Sequence, residues 1–475
     1  MIDIVICAMP GIETMIPILA PAVLKSSIEQ AGFKAMCIDL NYEINAKIAN
    51  STRRAEITSF FTSQNIDDNA VELIGDTIEY CAQRILDTKA KTVGLSLLTQ
   101  DCQFFTFWLC YHLKTVDPKI KILIGGSGIK SFIAQSEINF ASALREQGFI
   151  DDYINGVGEL AIAEYFKVNL DYPGINSNSW NQISNLNDLP WADFSDYPMG
   201  QYSSQAIPIC DSRGCVRSCE FCDIIEHWKK YQYRTADNVF AEMQHQINKH
   251  GIKHFVFNNS LTNGNMKEFN KLLDMISNYN DNNKEPISWE GYFIIRNSKQ
   301  HPEEMWVKLK KTNATLLLGV ESVIERVRIQ LGKNFSNFDI DWHLEMAKKY
   351  EVELVLLLIV AYPTEFKKDF AFTKQWFKDR KHYAENPIKQ VGLSMSAILP
   401  GTELKRKQEE YGIVIGETPT IWLTEIHDVT PEDRIEYFSD LSGLLNSMGM
   451  SANNNADYTV QIMRDELDLL ITKNA

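Results

Sequence analysis

Residues Asp211–Ile224 read DSRGCVRSCEFCDI, and the spacing of their thiols decides the reading of everything around them. The chain has nine cysteines, and three of them, Cys215, Cys219 and Cys222, fall within eight residues as C-x3-C-x2-C. No cysteine follows Cys222. An isolated free cysteine is ordinarily a small buried hydrophobe, but three this close, beside Arg213, Gly214 and Arg217, are a ligand pattern. Zinc would take four closed ligands, with His227 or Cys210 completing the set. A redox pair at Cys219 and Cys222 would leave the third thiol unexplained. A four-iron cluster held by three thiolates would leave one iron open to a small molecule.

Working outward, the residues after 206 alternate apolar runs with amphipathic helices. Six runs read as strands: AIPICDS, HFVFNN, ISWEGYFI, ATLLLGV, ELVLLLIVAY and QVGLSMSA. Between them Val239, Phe240, Met243 and Ile247 share one helical face, and Met266, Phe269, Leu272, Leu273 and Ile276 share another. Six β/α units predict a partial (β/α)6 barrel, with the cysteine loop just after its first strand, at the end where barrels carry their functional loops.

Residues 1–170 also alternate strand and helix. DIVICAM, KAMCIDL, TVGLSLL, KILIGG and DDYING are strand candidates. Continuous apolar strands separated by helices predict a doubly wound, Rossmann-like parallel sheet. Residues 171–205, rich in Asn, Ser, Pro and Asp, read as a linker. Residues 206–410 are the barrel, and 411–475 read as a small, mostly helical C-terminal region.

The bulk properties narrow the function. At 475 residues two or three domains are expected. A net charge of -15 argues against a general nucleic-acid surface. The longest apolar run, Leu354–Tyr362, is nine residues, far short of the roughly 18 that span a membrane. The start, MIDIVICAMP, lacks the basic region of a secretory signal, and an odd cysteine count suits a reducing compartment. The expectation is a cytoplasmic protein.

With these motifs in place, the second domain resembles the radical S-adenosylmethionine (SAM) superfamily. The resemblance rests on C-x3-C-x2-C with Phe221 before the last cysteine, then YQYRT (231–235), FNNSLTNGN (257–265), WEGYFIIR (289–296), LGVES (318–322), LGK (331–333) and AYPTE (361–365). The last departs from the usual G-Y-P-T-E by Ala361. The resemblance implies a [4Fe-4S] cluster on Cys215, Cys219 and Cys222, with the open iron chelating SAM. It implies SAM contacts from Phe221, Arg296, Glu321 and Ser322, and an external electron donor such as flavodoxin or ferredoxin. Glu321 and Ser322 suit hydrogen bonding at a strand end, and Arg296 suits a carboxylate.

The pairing with a doubly wound domain is similar to the class with an N-terminal cobalamin-binding domain, and covers about residues 1–410. It is carried by VGLSLLT (93–99) with Ser96, ILIGGSG (122–128) with Gly125 and Gly126, INGVGELA (154–161) with Gly156 and Glu159, and the linker LNDLPWADFSDYP (186–198). Ordinary turns are the alternative for these glycines. D-x-H-x-x-G is absent, and His112, the only histidine before the cluster, falls on a helix, so cobalamin is expected without histidine coordination. The loop TQDCQFF (99–105), with Cys102, would face the lower side of the corrin. The reaction this implies is methylation of an unactivated carbon or a phosphinate in a small-molecule or peptide substrate. The alternatives are a radical SAM cyclase or rearrangement enzyme, and a zinc-stabilised binding protein.

Overall fold

A computed structural model describes residues 2–464 except 11–14, 50, 53, 55–56, 58–67, 130–138, 168–182, 416–421, 425–427 and 453–463, and the side chains of 68–73 and 423. The chain divides into two compact units, Met1–Ile209 with Asn248–Ile252, and Cys210–Ile247 with Lys253–Ala475.

The first unit is built on five short strands: β1 (Ile4–Ala8), β2 (Ala35–Asp39), β3 (Thr92–Ser96), β4 (Lys121–Gly125) and β5 (Asp152–Ile154). They lie in the order β2-β1-β3-β4-β5, with parallel pairing throughout. Every residue of β1 is buried, as a central parallel strand covered on both faces requires. The helices Leu19–Gln30 and Cys102–Val116 lie where the apolar patterns put them. This is the doubly wound order whose switch point lies between β1 and β3, and sheets of this kind bind ligands beyond that point at the strand C-termini.

Of the segment read as a linker, residues 171–182 lie outside the described residues, and 183–205 are more firmly held than their composition suggests. Leu186, Phe194, Tyr197 and Tyr202 are buried within the first unit. Lys25, itself only 4% exposed, reaches Ser195 at 2.8 Å, Asp196 at 2.6 Å and Asp193 at 3.1 Å. Asp196 also accepts the Cys37 backbone N–H at 2.9 Å, and Tyr202 donates to Asp39. Burial opposes the charge on Lys25, but Asp196 and Asp193 hold its pKa above the ordinary value. Anchoring by single side chains leaves no periodicity, which is why the segment reads as loop.

The second sheet runs β6-β9-β10-β11-β12-β13-β16. Its strands are β6 (Ala206–Ile209), β9 (His254–Phe257), β10 (Ser288–Phe293), β11 (Ala314–Glu321), β12 (Glu353–Val360), β13 (Ile388–Met395) and the short β16 (Ser451–Ala452). The first six fall on the six apolar runs, separated by helices such as Ala236–His250 and Met266–Asn282. The small antiparallel pair β7 (Ser212–Arg213) and β8 (Gln232–Tyr233) brackets the cysteine loop. Among the described residues the C-terminal region is not helical alone. It adds an antiparallel pair, β14 (Ile413–Ile415) and β15 (Trp422–Thr424), before the helix Pro431–Ser447. No helix among the described residues is long and apolar enough to cross a membrane.

Candidate active site

All nine cysteines are free thiols, and Cys215, Cys219 and Cys222 are half-buried on the loop between β7 and β8. The loop is shaped by its own backbone. Arg217 N–H donates to Cys215 Sγ at 3.4 Å, and Cys222 N–H to the Cys219 carbonyl at 3.1 Å. Burial raises the thiol pKa of Cys219, and raises that of Cys222 to about 11, while Lys333 opposes the rise at Cys219. Thiols held this high need a metal to become thiolates near neutral pH.

A mononuclear zinc site would need its ligands to converge on one point. Among the described residues no three His, Cys, Asp or Glu side chains do so. His227 pairs with Asp223 at 3.2 Å, and Cys210 Sγ lies 3.1 Å from the Ser212 carbonyl. The donor set suits an iron–sulfur cluster, in which each thiolate takes a different iron and the three need not meet.

Two later motifs close on this loop. Gly332, at φ +83°, packs so tightly that a Cβ there would sit 3.2 Å from the Ser218 carbonyl. The next residue, Lys333, reaches back to the Gly319 carbonyl at 2.8 Å and to Glu321 Oε1. Glu321 ends β11 beyond a register shift and holds φ +62°, a left-handed conformation that strains a side-chain-bearing residue. LGVES and LGK are thus joined by the Lys333–Glu321 pair next to Cys219.

Ser322 follows the end of β11, as its motif predicts, and turns inward. The resemblance implied a SAM contact there, through hydrogen bonding at a strand end. Ser322 is 3% exposed, donates to Glu365 Oε1 at 2.8 Å and accepts the Ile324 N–H at 3.2 Å. Burial pushes the Glu365 carboxyl up to about 7, against the stabilising Ser322 hydrogen bond. Ser322 therefore binds LGVES to AYPTE. Ala361 of the latter motif holds φ +54°, the region that favours the glycine it replaces.

Arg296 lies just past β10. Its Nη2 donates to the carbonyls of Asn263 at 3.2 Å and Gly264 at 3.5 Å, while its Nε is buried with no hydrogen-bond partner. Burial, and then the charge of nearby Arg217, hold its pKa below the ordinary value, with Tyr231 and Cys215 opposing. Two guanidiniums near Cys215 with an unused donor suit an anion. The backbone before Arg296 is fixed from behind. Asn263 bonds both the N–H and the carbonyl of Ile294 at 2.9 Å. It is followed by a buried chain in which His301 Nε2 lies 3.1 Å from Asn263 and His301 Nδ1 lies 2.8 Å from His343 Nε2. His343 Nδ1 then donates to the Asp339 carbonyl at 2.7 Å. Neither histidine was singled out in the sequence.

Phe221 packs beside Leu331, Tyr362, Leu404 and Tyr411 in an apolar cluster. The residue before it, Glu220, is buried and was also missed.

In the first unit, Ser96 pairs with Ala8 on one side and Gly125 on the other, and Gly125 pairs with Ile154. These residues form one row at the C-terminal edge, and Gly156 and Glu159 follow β5, with Glu159 in the first turn of the helix Gly158–Lys167. Gly126 has a reason internal to the protein. At φ +104° a Cβ would meet the Leu97 carbonyl at 2.2 Å, so the turn after β4 lies flat on the turn after β3. Cys102 is fully buried, with Thr99 Oγ1 and the Met9 carbonyl as its neighbours, and is a core thiol. His112 sits half-buried on the helix Cys102–Val116.

The family model of the Radical SAM superfamily matches residues 209–377. An uncharacterized methyltransferase, PH0819, of Pyrococcus horikoshii is 20% identical over 367 residues, covering 73% of this chain and 74% of that protein. The fold is that of TsrM, a radical S-adenosylmethionine methyltransferase from Kitasatospora setae solved with tryptophan substrate and a SAM analogue. The TM-score is 0.60 at 12% identity, over 98% of this chain and 99% of that one. It is also that of OxsB, a cobalamin-dependent S-adenosylmethionine radical enzyme solved with aqua-cobalamin and SAM. Here the TM-score is 0.64 at 15% identity, over 96% of this chain and 70% of the other.

Proposed function

We propose that this radical SAM enzyme is a cobalamin-dependent methyltransferase acting on an unactivated carbon or a phosphinate. The observation that carries the reading is the set of three free, half-buried thiols after β6, in a domain that matches the Radical SAM superfamily. Cys215, Cys219 and Cys222 hold the cluster. When bound, the cluster, SAM and cobalamin supply the electron, the radical and the methyl group, and an external donor such as flavodoxin or ferredoxin supplies reducing equivalents.

The chain's own residues bind and orient. The Arg217 N–H tempers the charge on the Cys215 sulfur. Arg296, with Arg217 beside it, receives a carboxylate. Glu321, held by Lys333, accepts hydrogen bonds from an amino or ribose group. Ser322 fixes the end of β11 from behind. In the first unit the row Ser96–Gly125, with Gly126, Gly156 and Glu159 in the following turns, forms the edge that receives cobalamin. Support comes from the switch point between β1 and β3 and from the fold shared with OxsB.

The test is elemental analysis of protein purified without oxygen from cobalamin-fed cells, followed by a reductive SAM-cleavage assay. About four irons and one cobalt per chain, with 5′-deoxyadenosine released, are expected for this cofactor set. Iron without cobalt removes methyl transfer from cobalamin and leaves a radical SAM cyclase or rearrangement enzyme. Zinc alone refutes the reading.

A further inference from the structure

Glu220 lies between two of the proposed cluster ligands, yet its side chain points into the protein and is only 7% exposed. Its Oε1 receives Lys407 Nζ. Tyr411 OH reaches both carboxylate oxygens, at 3.1 and 3.3 Å, and Tyr362 OH reaches Oε2 at 3.2 Å. Its backbone is also taken. Glu220 N–H donates to the Leu331 carbonyl at 3.1 Å, and the Glu220 carbonyl accepts the Leu404 N–H at 2.8 Å. One residue thus ties the cysteine loop to the LGK turn, to the tyrosine of AYPTE and to the segment 404–411. Phe221 packs against the apolar cluster to which Leu404 and Tyr411 of the same segment belong. A buried carboxylate survives only with charged and hydrogen-bonding partners, and here Lys407 and the two tyrosines are those partners.

Residues 404–411 lie outside the part of the chain that matches the Radical SAM superfamily, which ends at 377. We infer that this C-terminal segment is a working part of the cluster site: through Glu220 it holds the C-x3-C-x2-C loop in the shape that keeps its cluster. Glu220, Lys407 and Tyr411 are positioning residues. The inference rests on the proposed cluster. Removing Lys407 leaves a buried anion two residues from Cys222, and the loop must open to hydrate it. Partners behind metal ligands are commonly worth tenfold or more in metal retention.

The test uses the full chain, loaded anaerobically with iron and sulfide and then exposed to a chelator. The readouts are iron and sulfide per chain, the decay of the visible cluster absorbance, and the electron paramagnetic resonance of the reduced cluster. Lys407→Ala and Glu220→Gln are expected to lose the cluster about tenfold faster than wild type. Lys407→Arg is expected to restore retention to within about twofold, because it returns the charge. Tyr411→Phe, which keeps the ring and its packing, is expected to move retention the same way by less. Exposed Glu409→Gln stays at the wild-type rate. The melting temperature of the cluster-free Tyr411→Phe protein separates loop positioning from misfolding, and is expected to fall by no more than about 2–4 °C. Equal retention in wild type, Lys407→Ala and Glu220→Gln overturns the inference. A wild-type chain that takes up no cluster overturns both it and the reading on which it rests.

Discussion

The two units hold the same residue type in two contrasting environments. In the first unit Cys7, Cys37, Cys81, Cys102 and Cys110 are all buried, and burial pushes their thiols up, to about 12 at Cys81 and well above the ordinary value at Cys7. They fill space between β-strands and helices as alanine or valine would. In the second unit Cys215, Cys219 and Cys222 stand half-buried on a loop, one accepting a backbone N–H and one facing Lys333. Side-chain chemistry is identical in the two sets. Access and neighbouring charge are what set the core thiols apart from the three proposed to hold the cluster.

The strongest way to break this comparison is to exchange alanine into each set. Cys219→Ala is expected to abolish cluster loading and 5′-deoxyadenosine formation. Cys81→Ala is expected to preserve both and to lower stability by about 1–2 kcal/mol, the scale of a small buried deletion. Retained cleavage in the first, or lost iron in the second, would break it. A smaller but cleaner effect is expected from alkylation of the folded, cluster-free chain. The loop thiols should react on the order of a hundredfold faster than the five core thiols, which wait for local opening. Comparable rates would remove the distinction.

The same burial rule extends to imidazoles and sharpens the picture further. Burial holds His301 down to about 2 and His343 to about 4, from an ordinary value of 6.5. Their folded state is neutral, so stability is complete above 6.5 and falls as the pH drops through the unfolded value towards 4. On the order of 2 kcal/mol per imidazole is expected to be lost at a pH of about 5. Glu365 works the other way. Its raised carboxyl binds a proton that the unfolded chain has released, so its contribution declines from pH 4.5 up to about 7. Between pH 7 and pH 5, denaturant titrations should show His301→Asn losing on the order of 2 kcal/mol less stability than wild type, the Glu365 contribution being common to both. An equal loss in the two would mean that the pair is solvated. The smallest effect is expected at Ala361. Glycine there relieves about 1 kcal/mol of left-handed strain but gives up about 0.8 kcal/mol of methyl burial. Stability should therefore shift by less than about 0.5 kcal/mol in Ala361→Gly, and a larger fall would show that packing governs the turn.

What the sequence disclosed follows from the range of each interaction. C-x3-C-x2-C is local, and so is the alternation that marks β6 and β9–β13, and both were legible. Ser322 and Glu365 each lie in a motif the sequence shows, LGVES and AYPTE, but nothing local says that they pair across 43 residues. Glu220 was missed for the same reason, since Lys407 and Tyr411 are nearly 190 residues downstream. A charged residue between cysteines reads as solvent-facing until the lysine and tyrosines that enclose it are known. Gly126 entered through the cobalamin-domain resemblance, and its close neighbour, the Leu97 carbonyl, is a contact only the sheet order reveals.

The fastening of Lys25 to Asp193 and Asp196 has a consequence for the timing of synthesis. The lysine is committed near the start of translation, but its partners leave the ribosome some 170 residues later. Until then the first helix carries an unneutralised ammonium on a face meant to be buried. The nascent sheet must therefore wait, loosely assembled, for a strap of sequence that looks from its composition like mere connection. A ribosome stalled after residue 170 should display a protease-sensitive first unit, and one stalled after the strap has emerged should display a resistant one.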